Sequence, residues 1–480
     1  MSLTSLAVKG LKWSSISRFG RQLIQYVTTL ILAFLLSPED FGLIAIAFII
    51  IGFLDIFKDL GTSSALIYID NPSRTLLSSV FWVNVFLGIA ISILIFLTAP
   101  LVADFFSNSQ AISVLKVLSI SFTISSFGIV QKALLEREFK FDLLARSELL
   151  SVFGGSAIGI TLAFLGYGVW SLVIQALVSA LLFTVFLWLS GKWKPELHFS
   201  LDEIKSVFKY SLNLLGYNVF NYFVRNMDYI LIGKFFGERE LGHYYLAYKI
   251  MLYPVQNISL VVSRVMFPIY SRIKEDNFRF RKIYSKVAVA IALITFPLMA
   301  IIMGVNDIFT LVLFSVKWDT DLLALLLIIL APVGMIQSIA TTTGSIYQAK
   351  GRTDWMFRWG MFTGFIVVGG FVIGLNWGVT GVAVSYLVTT ILLLYPVFAI
   401  PFKLIGLGFG KFISGFFRIC LTILIMIGIV MFSKYLLKND LIIQFELILL
   451  LFIGLITYII LSYLLNKSFI KMVLETIKMK

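Results

Sequence analysis

Apolar residues gather along this chain in long uninterrupted runs, and short polar turns separate them. The stretch "LILAFLLSPEDFGLIAIAFIIIGFL" (residues 30–54) shows the pattern: two apolar segments meet at the turn "SPED" over 37–40. About 20 apolar residues wound as a helix cross the hydrocarbon core of a bilayer. The runs predict fourteen spans, over 11–36, 41–67, 77–100, 110–134, 145–165, 168–190, 207–233, 241–267, 285–315, 322–346, 356–375, 378–402, 411–433 and 441–465. Turn formers mark several connections, among them "SPED" (37–40), "GYG" (166–168) and "NWG" (376–378), and such short links make antiparallel helix hairpins. The expected fold is therefore an all-α polytopic membrane protein.

The runs repeat. Residues 30–47, "LILAFLLSPEDFGLIAIA", align without a gap on 230–247, "ILIGKFFGERELGHYYLA", at an offset of 200, matching Ala33 with Gly233, Gly42 with Gly242 and Ala47 with Ala247. A second echo joins 168–182 to 378–392 at an offset of 210. Each unit is six helices long, an even number, so both units start on the same side of the membrane. That arrangement predicts two parallel six-helix lobes related by a pseudo-two-fold axis along the membrane normal, with two C-terminal helices added. The corresponding organisation is an N-terminal lobe over 1–190, a linker over 191–206, a second lobe over 207–402, and two further helices and a tail over 403–480.

The polar residues inside the spans follow the repeat as well. Asn218, Asn221, Arg225 and Asp228 are spaced 3, 4 and 3 apart, which sets them on one helical face. Their equivalents 200 residues earlier are Arg18, Arg21, Gln25 and Thr28, all polar. A charge at the bilayer centre costs about 2.5–3.5 kcal/mol on insertion scales, so two matching polar faces point to a shared aqueous space. Counted from the 37–40 turn, Arg21 is level with Asp55 and Arg18 with Asp59; counted from 237–240, Asp228 is level with Lys249. These pairs have a structural reading as locked bridges. Among the charges on these faces and beside them, Arg18, Arg21, Lys58, Lys116, Arg225 and Lys249 outnumber Asp55, Asp59 and Asp228 by three. An uncompensated cationic cavity attracts anions, and the planar fork of arginine matches phosphate oxygens. Tyr222, Tyr244, Tyr248, Gln256 and Asn257 add amphipathic groups suited either to sugar hydroxyls or to interhelical hydrogen bonds, and Pro254 predicts a kink.

Composition narrows the class. The chain is 59% hydrophobic and 13% charged, with a mean hydropathy of +0.98. One cysteine, Cys420, and two histidines, His198 and His243, leave no thiolate or imidazole cluster for a metal, so neither a metal nor another cofactor is expected. The net charge of +14 reads as topology and lipid contact, not nucleic acid. With the N-terminus placed inside, 28 of the 39 Lys and Arg residues fall in inside segments and five outside, so both termini are expected to be cytoplasmic. The first apolar run lacks a small-residue cleavage site behind it and reads as a retained helix. No predicted outer loop is large enough for a separate sugar-processing domain, which argues against a membrane glycosyltransferase; the chain is not expected to be an enzyme.

Residues 13–67, from "WSSISRFGRQ" to "LGTSSALI", resemble the start of the polysaccharide-exporter branch of the multidrug/oligosaccharidyl-lipid/polysaccharide (MOP) superfamily. "MDYILIGKFFGERELGHYYLAYKI" (227–250) resembles its D-x-x-x-I-G-[KR] … L-G-x-Y-x-x-A pattern, and "MFPIYSRI" (266–273) its F-P-x-x-S-R. The group includes exporters of colanic-acid and teichuronic-acid repeat units. The resemblance implies a Wzx-type flippase of the bacterial inner membrane that moves an undecaprenyl-diphosphate-linked oligosaccharide by alternating access, coupled to H⁺ or Na⁺. Its implied partners are the lipid-linked substrate, membrane lipids, and a polymerase and chain-length regulator of the same pathway. Arg18, Arg21, Gln25, Lys58, Asn218, Asn221, Tyr222, Arg225 and Lys249 are the candidate cavity residues for diphosphate and sugar. Asp228, which matches the family pattern, and Asp55 are the candidates for ion coupling. One departure stands out: relatives often carry Arg after the Leu-Ala of this motif, where this chain has Phe34. Two rivals share the fold, a flippase for lipid-linked peptidoglycan precursors and a cation-coupled multidrug exporter; the latter needs an acidic cavity.

Overall fold

The computed structural model describes residues 3–58, 62, 66, 72–200, 212–314, 316–437 and 442–478, leaving aside the side chains of 3–12, 14–15, 212–218, 264–265 and 466–478. Every regular element among the described residues is helical. The chain divides into two compact units, Met1–Gly242 and His243–Lys480. Among the described residues, ten helical stretches are long and apolar enough to cross a membrane, eleven when one bent pair is taken as a single span. Two of the ten, Val219–Arg272 and Thr353–Lys403, run for 54 and 51 residues, each far more than the 20 or so that one crossing needs.

The first unit begins with α1 (Leu3–Leu35), α2 (Pro38–Lys58) and α3 (Arg74–Phe106). The turn between α1 and α2 is a capping box, which explains why "SPED" stops one helix and starts the next. The Ser37 N–H donates to Asp40 Oδ2 at 3.0 Å, and the Asp40 N–H returns a bond to Ser37 Oγ at 3.4 Å. Pro38 takes the first helical position, where its missing N–H costs nothing. α4 (Gln110–Ser126) and α5 (Ile129–Arg137) are apolar enough together for one span and are bent by 41° against each other. α6 (Phe141–Phe164) and α7 (Val169–Ser190) form the hairpin predicted at "GYG", with Gly166 and Gly168 at φ +82° and +54°. Side chains on α7 bond the carbonyls freed by the bend: Trp188 Nε1–H donates to Phe127 O at 3.0 Å and Thr184 Oγ1–H to Ile124 O at 3.1 Å. Residues 191–200 strap along the start of α3, where Ser78 and Ser79 hydroxyls accept from the Glu196 and Ser200 N–H groups.

α8 (Leu212–Pro254) carries the second copy of the repeated motif and is broken at Gly237, whose φ of +85° and ψ of −176° leave the helical region. Beyond the break it crosses the start of α2 at backbone contact. A Cβ on Gly42 would stand 1.7 Å from Glu238 O, and one on Gly242 would stand 1.9 Å from Pro38 O. Positions 38 and 42 meet 238 and 242 reciprocally, each with the other copy's counterpart. Arg239 Nε, on the position matching Glu39, lies 3.6 Å from the Glu39 carboxylate. Only glycine at both crossing points permits this approach.

In the second unit, a π-helical turn over Val255–Ser259 follows Pro254, and α9 (Leu260–Arg272) continues the span. The predicted kink is thus a π-bulge, and the Asn257 side chain donates to the Tyr253 carbonyl at 2.7 Å. α10 (Asn277–Leu313), α11 (Thr320–Ala340), α12 (Thr343–Ala349), α13 (Thr353–Gly374), α14 (Gly378–Leu392), α15 (Leu394–Lys403), α16 (Phe409–Ser414), α17 (Phe417–Leu437) and α18 (Ile443–Lys478) complete it. Its core is aromatic: Tyr270, Phe280, Tyr284, Phe398, Phe402 and Phe412 interlock at centroid separations of 4.8–6.2 Å. The two C-terminal helices pack on α10 through Gly454 against Ile301, a bond from Tyr458 Oη–H to Leu293 O at 2.6 Å, and an ion pair between Lys434 and Asp307.

Candidate functional site

The polar face of α1 lies next to α6. Ser17 is buried and its hydroxyl donates to Glu148 Oε2 on α6 in a short bond. Arg18 and Arg21 are half-buried one turn apart, Gln25 is exposed and Thr28 is buried. The Nε of Arg21 is buried with no hydrogen-bond partner among the described residues, and so is Oε1 of Gln22. Trp13 and Arg146 meet nearer the N-terminal end of α1 in the same contact, guanidinium over ring at 5.9 Å.

On α2, Asp55 is exposed, and its ion pair is with Lys58 at 3.3 Å, not with the level Arg21. The reason is local: residues three apart on a helix are neighbours, so Lys58 reaches Asp55 without leaving its own helix. Both line a hollow of about 220 Å³ beside the α4–α5 elbow, together with Ser125, Gly128 and Lys132. Asp59, the other expected partner, lies outside the described residues.

On α8, the side chain of Asn218 lies outside the described part and Asn221 is half-buried. Tyr222 packs on α2, its hydroxyl donating to Ile49 O at 2.8 Å and resting over Gly52, where a Cβ would meet Tyr222 Oη at 2.6 Å. Arg225 is exposed and no carboxylate pairs with it among the described residues. Asp228 is 2% exposed and accepts from the Tyr229 N–H at 2.9 Å. The stripe therefore runs from an open cation to a sealed carboxylate within one helical turn. In the second unit Lys249 is exposed, its ammonium 5.6 Å from the Tyr245 ring centre.

Several residues serve packing. Tyr244 and Tyr248 are buried, stacked on each other and, through Tyr248, on Tyr386, which accepts a short hydrogen bond from Gln337 Nε2–H. Tyr248 meets Tyr386 across helices, and the buried Tyr244 and Tyr248 are closed to a sugar, as is Asn257. Glu148 is the residue the sequence reading passed over. It lies inside the span predicted over 145–165, and an acidic group there is by itself a signal. It also lowers the surplus of three cations counted for the polar faces. The D-x-D spacing of Asp319 and Asp321, which a glycosyltransferase uses at its metal, is here a helix cap: Asp319 accepts from the Leu322 N–H at 2.9 Å.

Chemically, the exposed Arg225, with no carboxylate partner among the described residues, presents its N–H donors in a fixed fork, the geometry that clasps a phosphate through two parallel bonds. Among the described residues no group of three or more metal-ligating side chains gathers.

A family model described as "Polysaccharide biosynthesis protein" matches residues 31–323, well over half of the chain. The chain belongs to this family. It is 30% identical over 363 residues to the teichuronic acid biosynthesis protein TuaB of Bacillus subtilis, covering 75% of this chain and 74% of that one. To the lipopolysaccharide biosynthesis protein WzxC of Escherichia coli it is 27% identical over 398 residues, 82% of this chain and 80% of that one. Among solved structures, this family member superposes on the lipid II flippase MurJ in an inward closed conformation with a TM-score of 0.76, at 20% identity, over 96% of this chain and all of that one. An inward-facing multidrug resistance MATE transporter of the MOP superfamily gives 0.65 at 17% identity, over 80% and 94%. The chain thus has the polytopic helical fold that these two structures share.

Proposed function

We propose that this protein is a flippase for an undecaprenyl-diphosphate-linked oligosaccharide repeat unit in the bacterial inner membrane, with both termini cytoplasmic. The observation that carries the reading is the exposed Arg225, which no carboxylate pairs among the described residues, on an apolar helix whose repeat partner holds Arg18 and Arg21, in a chain whose relatives bear the names of polysaccharide biosynthesis proteins. A cation held in a nonpolar slab without a carboxylate needs an anion or water to be tolerated. A diphosphate meets that need, and the guanidinium forks of Arg21 and Arg225 hold it through paired bonds. The sugar rides in the aqueous space while the polyprenyl tail stays in lipid.

Coupling to H⁺ or Na⁺ falls to the carboxylates. Asp228 is sealed from solvent and Asp55 is open, so the two differ in how readily a proton or sodium ion reaches them. The multidrug reading suits a cationic cargo and an acidic face, which is the opposite of Arg225. A lipid-linked peptidoglycan precursor would suit the same cations, and a deletion strain separates that cargo: loss of an essential precursor pathway kills the cell, whereas loss of a surface polysaccharide leaves it viable.

The test is Arg21→Ala combined with Arg225→Ala, scored by surface polysaccharide and by the amount of protein in the membrane. We expect export to be lost with insertion unchanged. Wild-type export from the double variant would overturn the reading.

A further inference from the structure

Away from the polar faces, α2, α3 and α8 of the first unit enclose an open groove of about 370 Å³. Phe53, Leu101, Val102, Phe105, Phe223 and Ile230 form its walls. Of the lining side chains only Tyr222 carries a polar atom, and that hydroxyl is already committed to Ile49 O. The groove therefore has nothing to offer a sugar or a fixed water, and it favours an apolar chain. Leu101 and Phe105 stand 68% and 47% exposed on its rim.

One end of the groove carries a cation. Lys234 Nζ donates to Phe105 O at 2.5 Å and sits 4.9 Å from the centre of the same ring. An ammonium has three donors, so two remain. Among the described residues no carboxylate pairs with Lys234, although Asp104 is next to Phe105 on α3. The lining on α8 runs from Tyr222 to Ile230, about 12 Å of helix, and Lys234 stands one turn beyond it, about 18 Å from Tyr222, so that groove and ammonium together span close to the depth of one leaflet. The end that Lys234 marks is also the end where α3 stops at Phe106 and α8 breaks at Gly237. An apolar channel and an ammonium at its interfacial end, together one leaflet deep, have the dimensions and polarity of a single lipid seat.

We propose that this groove holds one chain of an anionic phospholipid of the leaflet on the Lys234 side, with its phosphate on the Lys234 ammonium. With the topology of the preceding section that leaflet is the outer one; the naming of the leaflet rests on that reading, and the binding does not.

The full-length protein is reconstituted in nanodiscs with traces of phosphatidylglycerol or phosphatidylcholine bearing a diazirine near the chain end, and labelled peptides are mapped by mass spectrometry. Phosphatidylglycerol is expected to label peptides of α2, α3 and α8 at the groove more than phosphatidylcholine does. Lys234→Gln should cut that preference about fivefold, the factor set by about 1 kcal/mol per cation near anionic lipid, and leave phosphatidylcholine labelling as it was. Val102→Trp, which fills the groove, should abolish labelling there by both. Equal labelling by both lipids in the wild type, a preference untouched by Lys234→Gln, or displacement of the label by polyprenyl phosphate but not by unlabelled phosphatidylglycerol would each overturn the proposal. Because no transport is scored, a protein that labels as expected but fails to export leaves this seat standing while the flippase reading falls.

Discussion

Replacing Gly42 with alanine tests the helix crossing at its tightest point. The new methyl would lie 1.7 Å from Glu238 O and 2.5 Å from its carbonyl carbon, where contacts under 3.0 Å are essentially never found. Neither atom is a side chain that can swing away, so α2 and α8 must part by at least about 1.3 Å locally. Overpacking of that kind costs about 1–3 kcal/mol. Gly242→Ala meets Pro38 O at 1.9 Å and should cost a similar amount. Since either methyl alone forces the same separation, the second adds little, and the double variant should lose less than the sum, with a coupling of at least about 0.5 kcal/mol. Gly360, Gly369 and Gly428 are controls: each is helical with open space at its Cβ position, so alanine there should stabilise by about 0.5–1 kcal/mol. The assay is the unfolding midpoint of purified protein in detergent. A Gly42→Ala protein that melts like Gly360→Ala, or strictly additive losses in the double variant, would refute the argument.

Two further outcomes follow from contacts between helices. Lys434→Met should destabilise by about 0.5–1 kcal/mol, a modest figure because both partners of the Lys434–Asp307 pair are partly exposed, and adding Asp307→Asn should restore part of the loss in the same melting assay. Ser17→Ala and Glu148→Gln should be non-additive by about 1 kcal/mol in a double-mutant cycle; independent effects would mean that the short bond between them contributes nothing.

Much of the fold could be read from the order of the residues because its signals are local. The "SPED" turn is a capping box made within four residues, and Gly166, Gly168 and Gly378 take the positive φ values that the turns at "GYG" and "NWG" require. Pro254 removes one backbone donor, and a bulge appears there. The offset-200 repeat even anticipated a relation that it had no means of locating in space: the matched glycines touch each other's copies. Side-chain partnerships were less legible. Level depth suggested Arg21 for Asp55, but depth says nothing about azimuth, and Lys58 three residues away has the shorter route. Tyr244 and Tyr248 carry the same atoms whether they face a cavity or a neighbouring helix, and Tyr386, the ring that Tyr248 stacks on, lies 138 residues further along the chain. Glu148 was missed because it sits near the predicted start of its span, where a charge looks like a boundary residue.

The elbow between α4 and α5 limits how the first unit can deform. A joint works when its loosened carbonyls can trade partners cheaply. At this joint Phe127 O and Ile124 O are held by Trp188 and Thr184, so straightening or deepening the bend would strand two acceptors at several kcal/mol apiece. α4, α5 and α7 accordingly behave as a keel, bent but stiff, which any conformational cycle must carry along whole.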